Sequence, residues 1–310
     1  MLGGGEVVFT HSAFLYDTDD AYVSLLSGFV NEGLERGETV AVAAAPDRVS
    51  LLRDALDGES RSVSFLPADE WYVRPARTIA GWAQILRTAA ADGSPFVRLV
   101  GQIPYAGPYA PWLRFEAALN RSLAELDGHL LCPYDRKGLP DSLLRAAVRT
   151  HPRLHDGDWC DNAGYEKPEE FLAATPEAPW PVSGEPVVVV PVEKSVAGLR
   201  ALVRDRATAE AWLPADRVEI LVLAVSEIGT NSIRHGGADR ELRVWLTADA
   251  VVTEVTDDGT TGPSPLAGYL LPRQGEIGGM GLWLVQQLCD ALSIRQHGGL
   301  TRVRFAVRRG

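Results

Sequence analysis

Three cysteines in 310 residues, Cys132, Cys160 and Cys289, form no CxxC pair and leave an odd count. That excludes a disulfide framework and points to reduced thiols, with Cys132 and Cys289 read as core. Histidines are few, six in all, and scattered. None recurs at the short spacing of a metal-binding loop, so no metal site is expected from spacing. Positive charge is also scarce. The formal net charge is -11, whereas a nucleic-acid surface needs clustered cations. The late arginines Arg302, Arg304 and Arg308 alternate with Val303, Phe305 and Val307 and read as the wet face of a strand. No apolar run reaches the ~18 residues of a membrane span, and the N-terminus (MLGGGEVVF) lacks a basic region followed by an apolar one. The expectation is a cytoplasmic protein with neither nucleic acid nor membrane as partner. A GxxxxGK[ST] loop is missing too, so the first half carries no such phosphate cradle.

What is present fits two domains. Hydrophobic residues at 46% and a length of 310 can support two separate cores. The first half alternates short apolar runs with helical ones. Strands are expected at 7–9, 38–44, 63–66, 96–100 and 130–133, with helices at 19–35, from Pro46 through Leu56, and at 78–90, 112–126 and 143–148 between or after them. Such alternation predicts βα units and a mainly parallel sheet covered on both faces. Polar residues near expected strand ends are His11, Tyr16, Gln102, Tyr134 and Asp135, each ordinary as a turn or satisfied surface group. Pro168, Pro176, Pro179, Pro181 and Pro186 then break up regular structure, so 171–189 reads as a semi-extended linker, with a short helix expected at Pro168–Ala174.

The second half turns on Leu221–Gly237 (LVLAVSEIGTNSIRHGG). Val218, Leu221, Val222, Val225, Ile228 and Ser232 follow a helical period, and Glu227 and Asn231 sit four apart at the edge of that stripe. Asp216 and Glu219 after Pro214 suggest a capping box at its start. Taken alone, the Glu/Asn pair is equally compatible with a solvated helix flank. The residues downstream extend it into a series: a strand ending in Asp257-Asp258-Gly259, then Gly278, Gly279 and Gly281 opening a helix, then Gly298-Gly299-Leu300-Thr301 before a last strand. Glycines before a helix leave N–H groups bare at its positive end, a site for phosphate. A carboxylate at a strand end can accept from an exocyclic amine. The Asn231 carbonyl is a hard oxygen ligand suited to Mg²⁺, and Glu227, one turn away, can act as a base. Helices and mostly antiparallel strands segregate here, which predicts an α/β sandwich.

Two resemblances rest on these residues. The stretches FTHSAFLYDTDDAYVSLLSGFVNEGLERGETVAVAAAPDRVSLLRDAL and LLCPYDRKGLP…RTHP resemble the MEDS sensory domain, over 7–170. The resemblance implies a RecA-like α/β domain that detects a small molecule without nucleotide chemistry, with His11 and Tyr16 as candidate ligand contacts. The series in 190–308 resembles the HATPase (Bergerat) fold of histidine kinases and, most closely, of anti-sigma serine/threonine kinases. It implies ATP and Mg as cofactors, Asn231 holding Mg and Glu227 as general base. It further implies that Asp257 meets the adenine amine and Gly259 the base edge, with Gly279 and Gly281 at the phosphates and Thr301 beside the adenine. The implied partners are a sigma factor and a STAS-type anti-sigma antagonist, with room for a homodimer. Where that family has DxGxG, this chain reads Asp257-Asp258-Gly259-Thr260-Thr261, without the second glycine. An ATP-loaded binding module without phosphotransfer is the alternative. A sensor histidine kinase is disfavoured, since no long helical hairpin carrying a phospho-accepting His precedes the ATP fold.

Overall fold

The computed structural model describes residues 9–105, 109–259, 262–272 and 280–310. The chain divides after Leu172 into two compact units.

The first unit is a seven-stranded sheet flanked by helices. Its elements are β1 (Phe9–Tyr16), α1 (Asp19–Glu35), β2 (Thr39–Ala44), α2 (Pro46–Leu56), β3 (Ser64–Pro67), α3 (Ala68–Trp71), α4 (Pro75–Ala91) and β4 (Val97–Gly101). Then come α5 (Ala110–Ser122), β5 (Gly128–Asp135), α6 (Asp141–Thr150), β6 (Arg153–Asp156), β7 (Asp158–Asp161) and α7 (Pro168–Ala174), whose last residues pass the division. Strand order is β3-β2-β4-β5-β1-β6-β7, parallel throughout except for the β6/β7 hairpin. That hairpin escapes the apolar periodicity because its strands are four residues each and mostly wet; it turns at Gly157, at φ 85°.

Side chains in β1 and β5 alternate between two cores. Phe14, Tyr16 and Leu131 join Tyr22, Leu26, Phe29 and Val30 of α1 on one face. His11, Ala13, Leu130, Cys132 and Tyr134 fall on the opposite face, all of them buried. The register Ala13↔Cys132 and His11↔Leu130 places His11 and Cys132 diagonally on neighbouring strands, with small Ala13 leaving space between them.

The second unit is a five-stranded antiparallel sheet with helices on one face. Its elements are β8 (Val188–Pro191), α8 (Ala197–Ala209), α9 (Ala215–His235), β9 (Arg240–Leu246), β10 (Ala250–Asp257), α10 (Met280–Leu288), β11 (Ala291–His297) and β12 (Leu300–Arg308). Strand order is β11-β12-β10-β9-β8. Inward residues Leu242, Val244, Val251, Val255, Leu292, Val303, Phe305 and Val307 meet Leu221, Val225 and Ile228 of α9, Leu199 and Val203 of α8, and Val285 of α10. The expected capping box is absent: Pro214 precedes the helix without a side-chain cap, and Glu219 instead pairs with Arg204 at 2.9 Å. Gly298 and Gly299, at φ 61° and 78°, make the β11/β12 turn that a two-residue hairpin with both residues left-handed requires.

The proline-bearing stretch lies against the outer face of this sheet. Trp180 and Val182 pack on Trp245, Ala250, Val252 and Ala306, as does Ala291. Arg304 Nη1 donates to the Trp180 carbonyl at 3.0 Å, and Ser293 Oγ donates to the Glu177 carbonyl at 3.1 Å. A run without hydrogen-bonding periodicity is thus held by its carbonyls and one indole.

Candidate functional site

The 21-residue helix α9 carries Glu227 and Asn231 on one flank, both half-buried, as a spacing of four dictates. The flank faces the first turn of α10. A Cβ added at Gly281 would run into the Glu227 carboxylate as it stands, so the glycine leaves room for that acid against the opening of α10.

The other end of α9 is fastened to the end of β10. After Ser232 the helix closes at Gly236, whose N–H donates to the Ser232 carbonyl at 2.9 Å. A side chain at Gly236 would sit 2.6 Å from Asp257 Cγ. Asp257 is buried at 5% exposure, and its Oδ1 accepts from the Gly259 N–H at 3.0 Å, an Asx-type turn. Asp258 points the other way and accepts from the Asp239 N–H at 2.9 Å.

Asp257 is directly opposite Thr301 in the β10/β12 register, and Thr301 is opposite Gln296 in β11/β12. Period-two alternation puts all three on the helix side of the sheet, at one end. Gln296 Nε2 reaches the Gly259 carbonyl at 3.4 Å, and a Cβ at Gly262 would strike the Gln296 amide. The structure therefore brings together two groups, Asp257, Gly259 and Thr301 at the strand ends and Glu227 with Gly281 between the helices, while Asn231 lies one turn further along α9. Gly279 lies outside the described residues, as do Gly278, Thr260 and Thr261. Gly236 and Gln296 escape sequence reading, because a helix-ending glycine and a strand glutamine carry no signature until the register is known.

In the first unit the two candidate contacts part company. Tyr16 faces the α1 side, where its hydroxyl accepts from Gln102 Nε2 at 2.9 Å and its ring meets Tyr22 edge-on at 5.1 Å. It lines a groove of about 880 Å³ with Phe14, Thr18, Phe29, His155 and Trp159. His11 faces the other way and is fully buried, with Nδ1 3.2 Å from Asn120 Oδ1 and Nε2 3.1 Å from Glu116 Oε2. Burial, and then the neighbouring His151, lower the His11 pKa to about 4. A single small ligand on one face of the sheet cannot touch both side chains.

Residues 10–152 match the family described as MEDS, the methanogen/methylotroph DcmR sensory domain. Residues 191–307 match the histidine kinase-like ATPase domain family. The chain thus carries a MEDS domain followed by a histidine kinase-like ATPase domain. No curated protein matches it. Among solved structures it is similar to the RsbU and RsbW domains of Rv1364c from Mycobacterium tuberculosis, at 20% identity and a TM-score of 0.30. That similarity covers 39% of this chain and 31% of the other. Among the described residues, no helix is long and apolar enough to cross a membrane.

Proposed function

We propose that the second unit is an ATP-dependent protein serine/threonine kinase of the anti-sigma type, and that the first unit is its small-molecule sensor. The observation that carries the kinase reading is Glu227 of α9 lying against Gly281 in the first turn of α10, with Asn231 one turn along the same helix and a buried aspartate at the sheet end. The helix start supplies N–H groups and a positive dipole end for phosphate oxygens. Asn231 Oδ1 would hold Mg²⁺, which would supply positive charge to offset that of the phosphates. Buried Asp257 would accept from the adenine amine, with Gly259 against the base edge and Thr301 beside the ring. Glu227 would take the proton from the attacking hydroxyl of a partner protein.

The partners on this reading are a sigma factor, bound, and a STAS-type antagonist, phosphorylated. A second reading, an ATP-loaded binding module, draws on the DDGTT sequence: without a second glycine, the segment after β10 loses conformational range. One experiment separates the two. The full chain is incubated with γ-labelled ATP and candidate antagonists, beside Glu227→Ala. General-base catalysis is worth about 10²–10⁴-fold. The kinase reading expects transfer by wild type, a loss of that size in the variant, and ATP affinity within a few-fold. Transfer equal in both reassigns the base. ATP binding with no transfer to any antagonist favours the binding module.

A further inference from the structure

Four side chains of the first unit converge in its interior without a sequence spacing to announce them: His11, Glu116, Cys132 and His151. All are buried, at 0%, 1%, 3% and 0% exposure. One ligand atom from each lies within 4.8 Å of all the others. His11 Nε2 is 3.1 Å from Glu116 Oε2 and 3.4 Å from Cys132 Sγ. Glu116 Oε2 is 3.4 Å from His151 Nε2 and 3.8 Å from Cys132 Sγ. With Zn–N and Zn–O near 2.0–2.1 Å and Zn–S near 2.3 Å, the edges of a tetrahedral site measure about 3.3–3.7 Å.

Four elements deliver these groups. His11 comes from β1 and Cys132 from β5, on the same face of the sheet. Glu116 comes from α5, which packs on that face. His151 ends α6 in an extended conformation, φ −112° and ψ 121°, as a residue before proline must. Its ring is thereby turned inward, 4.0 Å from that of His11.

The hydrogen bonds around the cluster fix its proton inventory. The Asn120 amide Nδ2 donates to the Thr150 carbonyl at 2.8 Å, so its Oδ1 is the atom facing His11 Nδ1 at 3.2 Å. His11 Nδ1 must then carry the hydrogen. His151 Nδ1 likewise faces a carbonyl, that of Ala147, at 2.8 Å. Both rings commit their N–H outward and turn Nε2 toward a carboxylate, and His151 Nε2 has no hydrogen-bond partner. In neutral rings those are two lone pairs aimed at an acceptor. No lysine or arginine pairs with Glu116 among the described residues; its second oxygen, Oε1, accepts from the Tyr134 hydroxyl at 3.0 Å. An ionised carboxylate so deeply buried, with lone pairs around it, needs a positive charge at its centre.

We propose that His11, Glu116, Cys132 and His151 form a buried site for one divalent borderline cation, zinc by its donor set. Two imidazole nitrogens, a carboxylate and a thiolate suit zinc, and a four-ligand closed set marks a structural site. The outward N–H bonds to Asn120 and Ala147 are the supports that orient metal-bound histidines. The two anionic ligands make the cation site neutral overall. Binding releases the Cys132 proton, since burial raises that thiol well above its usual value.

The test uses the untagged full chain, stripped with a chelator and then given zinc or cobalt(II). The expected result is one equivalent of zinc by mass spectrometry. Cobalt should give a tetrahedral ligand-field spectrum with a thiolate charge-transfer band. Cys132→Ser should lose that band and at least about 100-fold in zinc affinity, and Asn120→Ala about 10–100-fold. Should Cys132→Ser fail to fold, the double variant Cys160→Ser/Cys289→Ser keeps Cys132 as its one thiol and should retain the band. Zinc and cobalt both below about a tenth of an equivalent in wild type would overturn the proposal and leave a proton-shared cluster. So would a cobalt band that survives Cys132→Ser or vanishes in the folded double variant.

Discussion

Trp180→Ala tests whether the proline-bearing stretch belongs to the second unit. Its indole covers part of the outer-face patch of Trp245, Ala250, Val252 and Ala306, with the Arg308 guanidinium 5.4 Å from the ring centre. Truncating a fully buried tryptophan costs about 3–5 kcal/mol. Trp180 is half-buried, and its carbonyl bond to Arg304 survives the substitution, so about 2 kcal/mol is expected. At 1.4 kcal/mol per tenfold, that is roughly a 30-fold rise in the opening equilibrium. Hydrogen exchange on the full chain should show it as lost protection in β10, β11 and β12, while strands β1, β4 and β5 of the first unit hold theirs and serve as the internal standard. A change below about threefold in sheet amides would refute the claim that this stretch stabilises the sheet. The result also decides how the two units are to be compared. A shortened chain beginning at Gly184 lacks Trp180 and Glu177, and with them the bonds from Arg304 and Ser293. It would be weakened whether or not the first unit regulates anything. A start at Ala173 avoids that confusion.

Gly281→Val should abolish ATP binding in calorimetry, because its side chain would enter the space between Glu227 and the first turn of α10; unchanged affinity would remove α10 from the phosphate site. Asn231→Ala should weaken ATP binding only when Mg²⁺ is present, and an equal loss with chelator would reassign the metal ligand. Acid should destabilise the first unit through its histidines. Burial lowers the pKa of His11 to about 4 and that of His129 to about 3. Between those values and the ordinary value near 6.5 the unfolded chain binds protons that the folded chain does not, so stability is lost as pH falls through that window. The urea midpoint of the first unit should therefore drop between pH 7 and pH 4.5, with a smaller drop in His129→Gln. A midpoint that rises would reverse the assignment of neutral histidines.

How much of this was legible in the sequence depended on whether a feature is local. The long elements were plain: α1 occupies the span that its apolar period marks, and β2 and β10 follow their continuous or alternating runs. The same holds for Glu227 and Asn231, because a spacing of four on one helix is already a geometry. The β6/β7 hairpin was not legible, since four wet residues per strand leave no period to read. Nor was the seat of residues 177–182: a stretch held by its own carbonyls and one ring looks like any proline-broken segment. The cluster in the first unit is the limiting case. Positions 11, 116, 132 and 151 have no short spacing, and each residue has an ordinary explanation alone. Parallel register joins the first to the third, α5 adds the second, and Pro152 turns the fourth inward. A metal signature read from sequence requires ligands on adjacent turns of chain; here the parallel sheet supplies the adjacency, so only the fold could reveal that the scattered histidines and the core cysteine share one point.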